Sequence, residues 1–143
     1  MAIAVLLADD STETDHRLED VLRGTRSIEV VSAVGTYVEA VRQCRDLQPD
    51  VAIVSLSTPE LGNTEVIIEI QRHCPKVRSL AISSRVDREE IGRVLDAGAC
   101  GYLTTKNASR MLTDTVKRIY AGATVLGPQA AAAITSQGLL SSI

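Results

Sequence analysis

Five short runs of β-branched and aliphatic residues recur along this chain at near-even spacing. No other feature so restricts what it can fold into. The runs cover residues 3–8, 28–34, 51–56, 77–82 and 99–104, and their starts lie 22 to 26 residues apart. Each is followed by a segment with helical apolar spacing. Several runs are apolar almost throughout instead of alternating, the mark of parallel strands covered on both faces. Strand–helix alternation with short connections implies an α/β fold with a five-stranded, doubly wound parallel sheet. A length of 143 residues suits one such domain.

The helical segments carry their own start and stop signals. Leu18, Val21 and Leu22 share one face, and Gly24 ends that helix. Thr36-x-x-Glu39 reads as a capping box, and the helix it opens stops before Pro49. Val66, Ile67 and Ile70 mark a third helix that ends near Pro75. Asp87-x-x-Glu90 reads as a second capping box, opening a helix with Ile91, Val94 and Leu95 that stops at Gly98. Met111, Leu112, Val116, Ile119 and Tyr120 supply the core-facing residues of a fifth, with Gly122 as its stop.

Composition removes several classes of function. Aromatic residues are 2% of the chain: three Tyr, no Phe and no Trp. The core is therefore aliphatic, and base-stacking nucleic-acid modules are excluded. The net charge is −3, and Lys117-Arg118 is the one adjacent basic pair, so no basic stripe follows a phosphate backbone. The uncharged stretch 119–143 is cut by Gly122, Gly127, Pro128 and Gly138 and is not a membrane span. The N-terminus lacks a basic segment and runs straight into Asp9-Asp10, so it reads as a strand and not as a signal peptide. Cys44, Cys74 and Cys100 show no Cys-x-x-Cys spacing, which fits free buried thiols in a reducing cytoplasm.

Ligands of doubly wound sheets sit at the carboxyl ends of the strands, so the residues there carry the functional question. The first strand ends in Asp9-Asp10. Adjacent carboxylates at a strand end hold a hard cation such as Mg²⁺, or one of them, or Ser11, caps the next helix. The third strand ends at Ser55-Leu56-Ser57-Thr58-Pro59, the fourth at Ser83-Ser84, and the fifth leads into Thr104-Thr105-Lys106. Taken singly, such hydroxyls more often shape loops and cap helices than do chemistry.

Together these positions resemble the receiver domain of bacterial two-component response regulators, in its NarL/FixJ-like subclass. The carriers are Leu6-Leu7-Ala8-Asp9-Asp10, Gln48-Pro49-Asp50-Val51-Ala52-Ile53-Val54, the Pro59 loop, and Asp96-Ala97-Gly98-Ala99-Cys100-Gly101-Tyr102-Leu103. The resemblance implies a flavodoxin-like (βα)5 receiver over residues 1–122. The tail 123–143 looks like the linker joining such receivers to a helix-turn-helix domain, and Pro128 heads an Ala-rich stretch that suits a short extra helix.

In that family the acidic pair binds Mg²⁺, an Asp ending the third strand accepts a phosphoryl group, and a Ser/Thr and a Lys contact it. An aromatic residue on the fifth strand changes rotamer with the Ser/Thr. Asp9 and Asp10 match the pair, Ser83 the Ser/Thr, and Tyr102 the aromatic. Two positions depart: Ser55 stands at the phosphoacceptor position and Thr105 at that of the Lys. Lys106 is one place along, and an extended segment would turn it to the other face.

A carboxylate accepts phosphate as a labile acyl phosphate; a serine hydroxyl gives a stable ester and only with a base. The two histidines, His16 and His73, fall in helical segments away from the strand ends. Losing one carboxylate also weakens the attraction for Mg²⁺, by several kcal/mol before screening. The expectation is thus a non-enzymatic, Asp-less receiver that signals by protein contact in the cytoplasm. The resemblance suggests homodimers and other signalling proteins as partners. DNA would be reached only through a helix-turn-helix domain that lies outside this chain. Two other readings stand beside it: a small-molecule sensor using the neutral pocket at Ser55 and Thr105, and a switch phosphorylated on Ser55.

Overall fold

The computed structural model describes residues 2–9, 17–56 and 64–136. Strands and helices alternate as β1 (Ile3–Ala8), α1 (Arg17–Arg23), β2 (Ile28–Val34), α2 (Tyr37–Leu47), β3 (Val51–Ser55), α3 (Glu65–His73), β4 (Arg78–Ser83), α4 (Arg88–Asp96), β5 (Gly101–Thr104) and α5 (Thr105–Tyr120). Two further elements follow, β6 (Val125–Leu126) and α6 (Pro128–Ser136). All pairings in the sheet are parallel and its order is β2-β1-β3-β4-β5-β6. The strand order reverses direction at β1, which puts the ligand-binding crevice of such a sheet at the carboxyl ends of β1 and β3.

The sheet has six strands, not the five expected. Val125 and Leu126 pair with Gly101 and Tyr102 of β5. A two-residue strand has no periodicity of its own; it exists because β5 offers it a free row of backbone groups.

Strand alternation sorts the core into two layers. Leu6, Ala8, Ala52, Val54, Ala81 and Tyr102 face α2, α3, α4 and α6, where they meet Cys44, Ile67, Ile70, Ile91, Val94 and Ala130. Val5, Leu7, Ile53, Leu80, Ile82 and Leu103 face α1 and α5, where they meet Leu22, Leu112, Val116 and Ile119. Each fully buried Leu or Ile contributes about 2 kcal/mol by removal from water. Tyr120, read as core-facing, is instead 52% exposed. It sits in the last turn of α5, past the layer that covers it.

The helix punctuation is largely as read. Thr36 Oγ1 accepts a hydrogen bond from the Glu39 N–H (3.2 Å), and the Thr36 hydroxyl meets Glu39 Oε1 at 3.1 Å. After α4 and α5 the chain turns through Gly98 and Gly122, whose φ angles of 113° and 107° favour glycine. The amino end of β3 is tied down by Asp50, whose carboxylate accepts from the Ala4 N–H (2.8 Å) while its own N–H donates to the Ala4 carbonyl (2.8 Å). On the outer edge, Val5 pairs with Val30 and Leu6 with Ser32, so Val31 is an extra residue that bulges β2.

Candidate functional site

The carboxyl edge of the sheet brings the sequence-derived residues together in two groups. On one side, Ala8 pairs with Val54, so Asp9 and Ser55 follow side by side. The Asp9 N–H donates to the Val34 carbonyl (2.9 Å), fixing the exit from β1. Ser55 is 5% exposed, and the next residue, Leu56, donates its N–H to the Ile82 carbonyl at 2.7 Å. The Ser55 hydroxyl thus lies buried at the end of β3, where the neighbouring backbone is tied to β4. Asp50, the nearest carboxylate on that strand, is five residues back and already bonded to Ala4. At about 3.3 Å per residue that is roughly 16 Å away, too far to substitute.

Asp10 lies outside the described residues, as do Ser11, His16, Ser57, Thr58 and Pro59. Among the described residues no three His, Cys, Asp or Glu side chains gather as they would around a metal ion. Of the acidic pair the structure places Asp9, and beside it Ser55 offers a neutral oxygen.

Thr105 and Lys106 require a correction. The segment is not extended: α5 begins at Thr105, directly after β5. Both residues occupy its first turn, where successive side chains differ by about 100° and not 180°. Both are exposed.

The other group lies where β4 and β5 end. Tyr102 is fully buried, and its hydroxyl donates to the Arg85 carbonyl at 3.0 Å. Ser83, 1% exposed, accepts from the Arg85 N–H (3.1 Å) and donates to Glu90 Oε1 over a long 3.4 Å. Strand β4, the turn after it, α4 and β5 are thereby joined through Ser83, Arg85, Glu90 and Tyr102. Burial pushes the Tyr102 phenol up to about 12; the Ser83 hydrogen bond pulls the other way and the Glu90 charge adds to the rise.

Arg85 and Glu90 were not recognised as site residues. Glu90 carried the signature of a capping box, but the Asp87 carboxylate caps Glu89 instead (3.0 Å). Glu90 is left to reach inward. One of its oxygens, Oε2, is buried without a hydrogen bond and faces Arg85 Nε at 3.9 Å. The recess beside this group, about 320 Å³, is lined by Thr64, Glu65, Arg85, Glu90 and Arg93. Its walls carry the charged side chains of Glu65, Arg85, Glu90 and Arg93, and neither Ser55 nor Thr105 lines it.

The remaining candidates are structural. His73 is exposed at the end of α3, with Nε2 at 3.1 Å from Glu69. Cys44 and Cys74 are buried and free, and Cys100 is half-buried and free. Burial, with a smaller push from Cys74, raises the Cys44 thiol to about 12, so it is unreactive at neutral pH. No helix of the described residues is long and apolar enough to cross a membrane.

Comparison with known proteins adds a consistent picture. Residues 5–117 match the response regulator receiver domain family. The response regulator protein VraR of Staphylococcus epidermidis is 26% identical over 129 residues, covering 90% of this chain and 62% of the relative. VraR of Staphylococcus aureus matches to the same extent. The chain thus spans 62% of the length of the curated relatives it matches. Among solved structures, a LuxR-family two-component response regulator from Aurantimonas superposes with a TM-score of 0.89 at 22% identity, covering 97% of this chain and 99% of that one. The isolated receiver domain of RcsB from Salmonella enterica, in its apo form, gives 0.82 at 19% identity, covering 97% and 98%.

Proposed function

The chain belongs to the response regulator receiver domain family, and from that premise we propose that it is an Asp-less receiver that signals by protein contact, without aspartyl phosphorylation. The observation that carries the reading is Ser55. It is a buried hydroxyl at the end of β3, beside Asp9, with Asp50 turned to the far end of the strand. A mixed anhydride needs a carboxylate there. Thr105 takes away the cation that would hold an incoming phosphoryl group, and the pair Asp9 and Asp10, without a third carboxylate at Ser55, makes a weak seat for Mg²⁺. No step of the proposed signalling passes through a metal.

The switch pair supports the same reading. Ser83 and Tyr102 are buried and hydrogen-bonded to Arg85 and Glu90, groups of this chain's own β4–α4 turn and α4. Such a module is held in one setting by its own contacts and responds to whatever shifts that setting. Residues 1–122 form the signalling unit, and the segment from 123 onward connects it to the rest of a transcription regulator. VraR and RcsB are response regulators, and an RcsB structure holds two dimers on two parallel DNAs. By analogy the partners are a second copy, other signalling proteins, and DNA through a separate domain, all in the cytoplasm.

Acetyl phosphate, or beryllofluoride, with Mg²⁺ tests this. The expected result is an unchanged intact mass and an unchanged amide NMR spectrum. An acyl phosphate trapped by borohydride, or beryllofluoride-dependent shifts at Ser55 and Ser83, would overturn it.

A further inference from the structure

The segment after α5 is bound to the strand that carries Tyr102. The Val125 N–H donates to the Cys100 carbonyl and the Gly127 N–H to the carbonyl of Tyr102 itself, both at 2.9 Å. Gly127 is also the pivot into α6, because its carbonyl accepts from the Ala131 N–H at 2.9 Å. A Cβ on Gly127 would come within 3.1 Å of Leu103 Cδ2, a tight contact that the Leu103 side chain would have to yield to, and 3.5 Å of the Tyr102 carbonyl oxygen. One turn on, Ala130 is fully buried in the apolar layer that also holds the Tyr102 ring. Gln129 Oε1 accepts from Asn107 Nδ2 in the first turn of α5, and from the Thr104 hydroxyl over 3.5 Å.

We infer that β6 and α6 form an output arm whose docking is set by Tyr102. The tyrosine bears on the arm twice, through its carbonyl on Gly127 and through its ring in the layer that receives Ala130. Through its hydroxyl it is also fixed to Arg85, in the hydrogen-bonded group with Ser83 and Glu90. A change of Tyr102 rotamer empties space beneath Ala130 and shifts the strand to which Gly127 is bonded. The arm is held by the shortest ladder in the sheet, the Gln129 side chain, the buried Val125 and Ala130, and Leu126, Ala133 and Ile134 packed against the core. Its undocking costs less than opening the sheet, so it is the element that a modest signal can release. The inference rests on reading Ser83 and Tyr102 as the switch, and it gives that switch a mechanical readout.

Coupling of this kind is reciprocal, and the reciprocity makes it testable. The chain has three tyrosines and no tryptophan. Incorporating 3-fluorotyrosine therefore gives three ¹⁹F resonances, with that of Tyr102 identified by its loss in Tyr102→Phe. Ala130→Glu, made in the full chain, should raise amide hydrogen exchange at Val125 and Gly127 by about tenfold or more and move the Tyr102 resonance. Tyr102→Leu should raise exchange at the same two amides while Leu6 and Leu56 stay protected. Gln129→Ala, a milder change that leaves the core intact, should do the same to a smaller degree. Release of Val125 and Gly127 with the Tyr102 resonance unmoved would overturn the inference. So would unchanged exchange at those amides in folded Tyr102→Leu. Phosphorylation of the native chain by acetyl phosphate would sink the functional reading, whereas the exchange and ¹⁹F comparison of unphosphorylated native and variant chains tests the arm alone, so the two failures are distinguishable.

Discussion

The two ends of the sheet's carboxyl edge have diverged in chemistry while sharing one scaffold. At β1 and β3 the register sets Asp9 beside Ser55, a carboxylate next to a neutral hydroxyl. At β4 and β5, Ser83 and Tyr102 are buried and hydrogen-bonded to Arg85 and Glu90. On the proposed reading, a neutral residue at Ser55 leaves the Ser83 and Tyr102 group packed and hydrogen-bonded. Packing holds Tyr102 in place, and packing does not depend on the charge at Ser55.

The contrast is most exposed by trying to undo it. Ser55→Asp combined with Thr105→Lys should take the protein from no incorporation to measurable phosphate uptake from acetyl phosphate with Mg²⁺, read by intact mass. Continued inertness of a folded double variant would place the defect elsewhere in the site. Next in size, Tyr102→Ala removes a fully buried ring and should cost about 3–5 kcal/mol in urea unfolding. Ser55→Ala, which removes one hydroxyl, should cost about 1 kcal/mol or less. Equal losses from the two would break the distinction.

Alkaline pH separates the ends more finely. Burial raises the Cys44 thiol from 9.0 to about 12 and the Tyr102 phenol from 10.0 to about 12. In both groups the folded state holds the proton more tightly than the unfolded state does. Their contribution is thus complete below pH 9 and is lost as pH rises toward 12. Unfolding midpoints should fall across that window, and Tyr102→Phe should flatten the part above pH 10. The smallest effect is expected at Thr105→Val: an exposed position in the first turn of α5 should change stability by no more than about 0.5 kcal/mol.

Much of the scaffold was legible in the sequence because its signals are local. Uninterrupted apolar runs such as 51–54 mark buried parallel strands, and Gly98 and Gly122 stop their helices where the backbone turns to positive φ. The residues at the strand ends could be placed for the same reason. What escaped depends on contacts distant in sequence. Val125–Leu126 is a strand only because β5 lies beside it. Glu90 satisfied a helix-start pattern, yet its carboxylate is drawn to Ser83 seven residues earlier. Lys106 was placed on an extended segment because nothing in Thr104-Thr105-Lys106 announces that a helix begins there. Such choices are decided by tertiary geometry.

The bulge at Val31 has a consequence for how this molecule meets others. β2 is seven residues long and rich in valine, the composition of a strand that recruits further strands. The surplus residue throws its outward amides and carbonyls out of step, so an incoming chain finds no continuous template. At the opposite margin the two-residue β6 presents almost nothing to copy. Both borders of the sheet therefore offer a poor template for edge-to-edge growth, β2 through its bulge and β6 through its brevity.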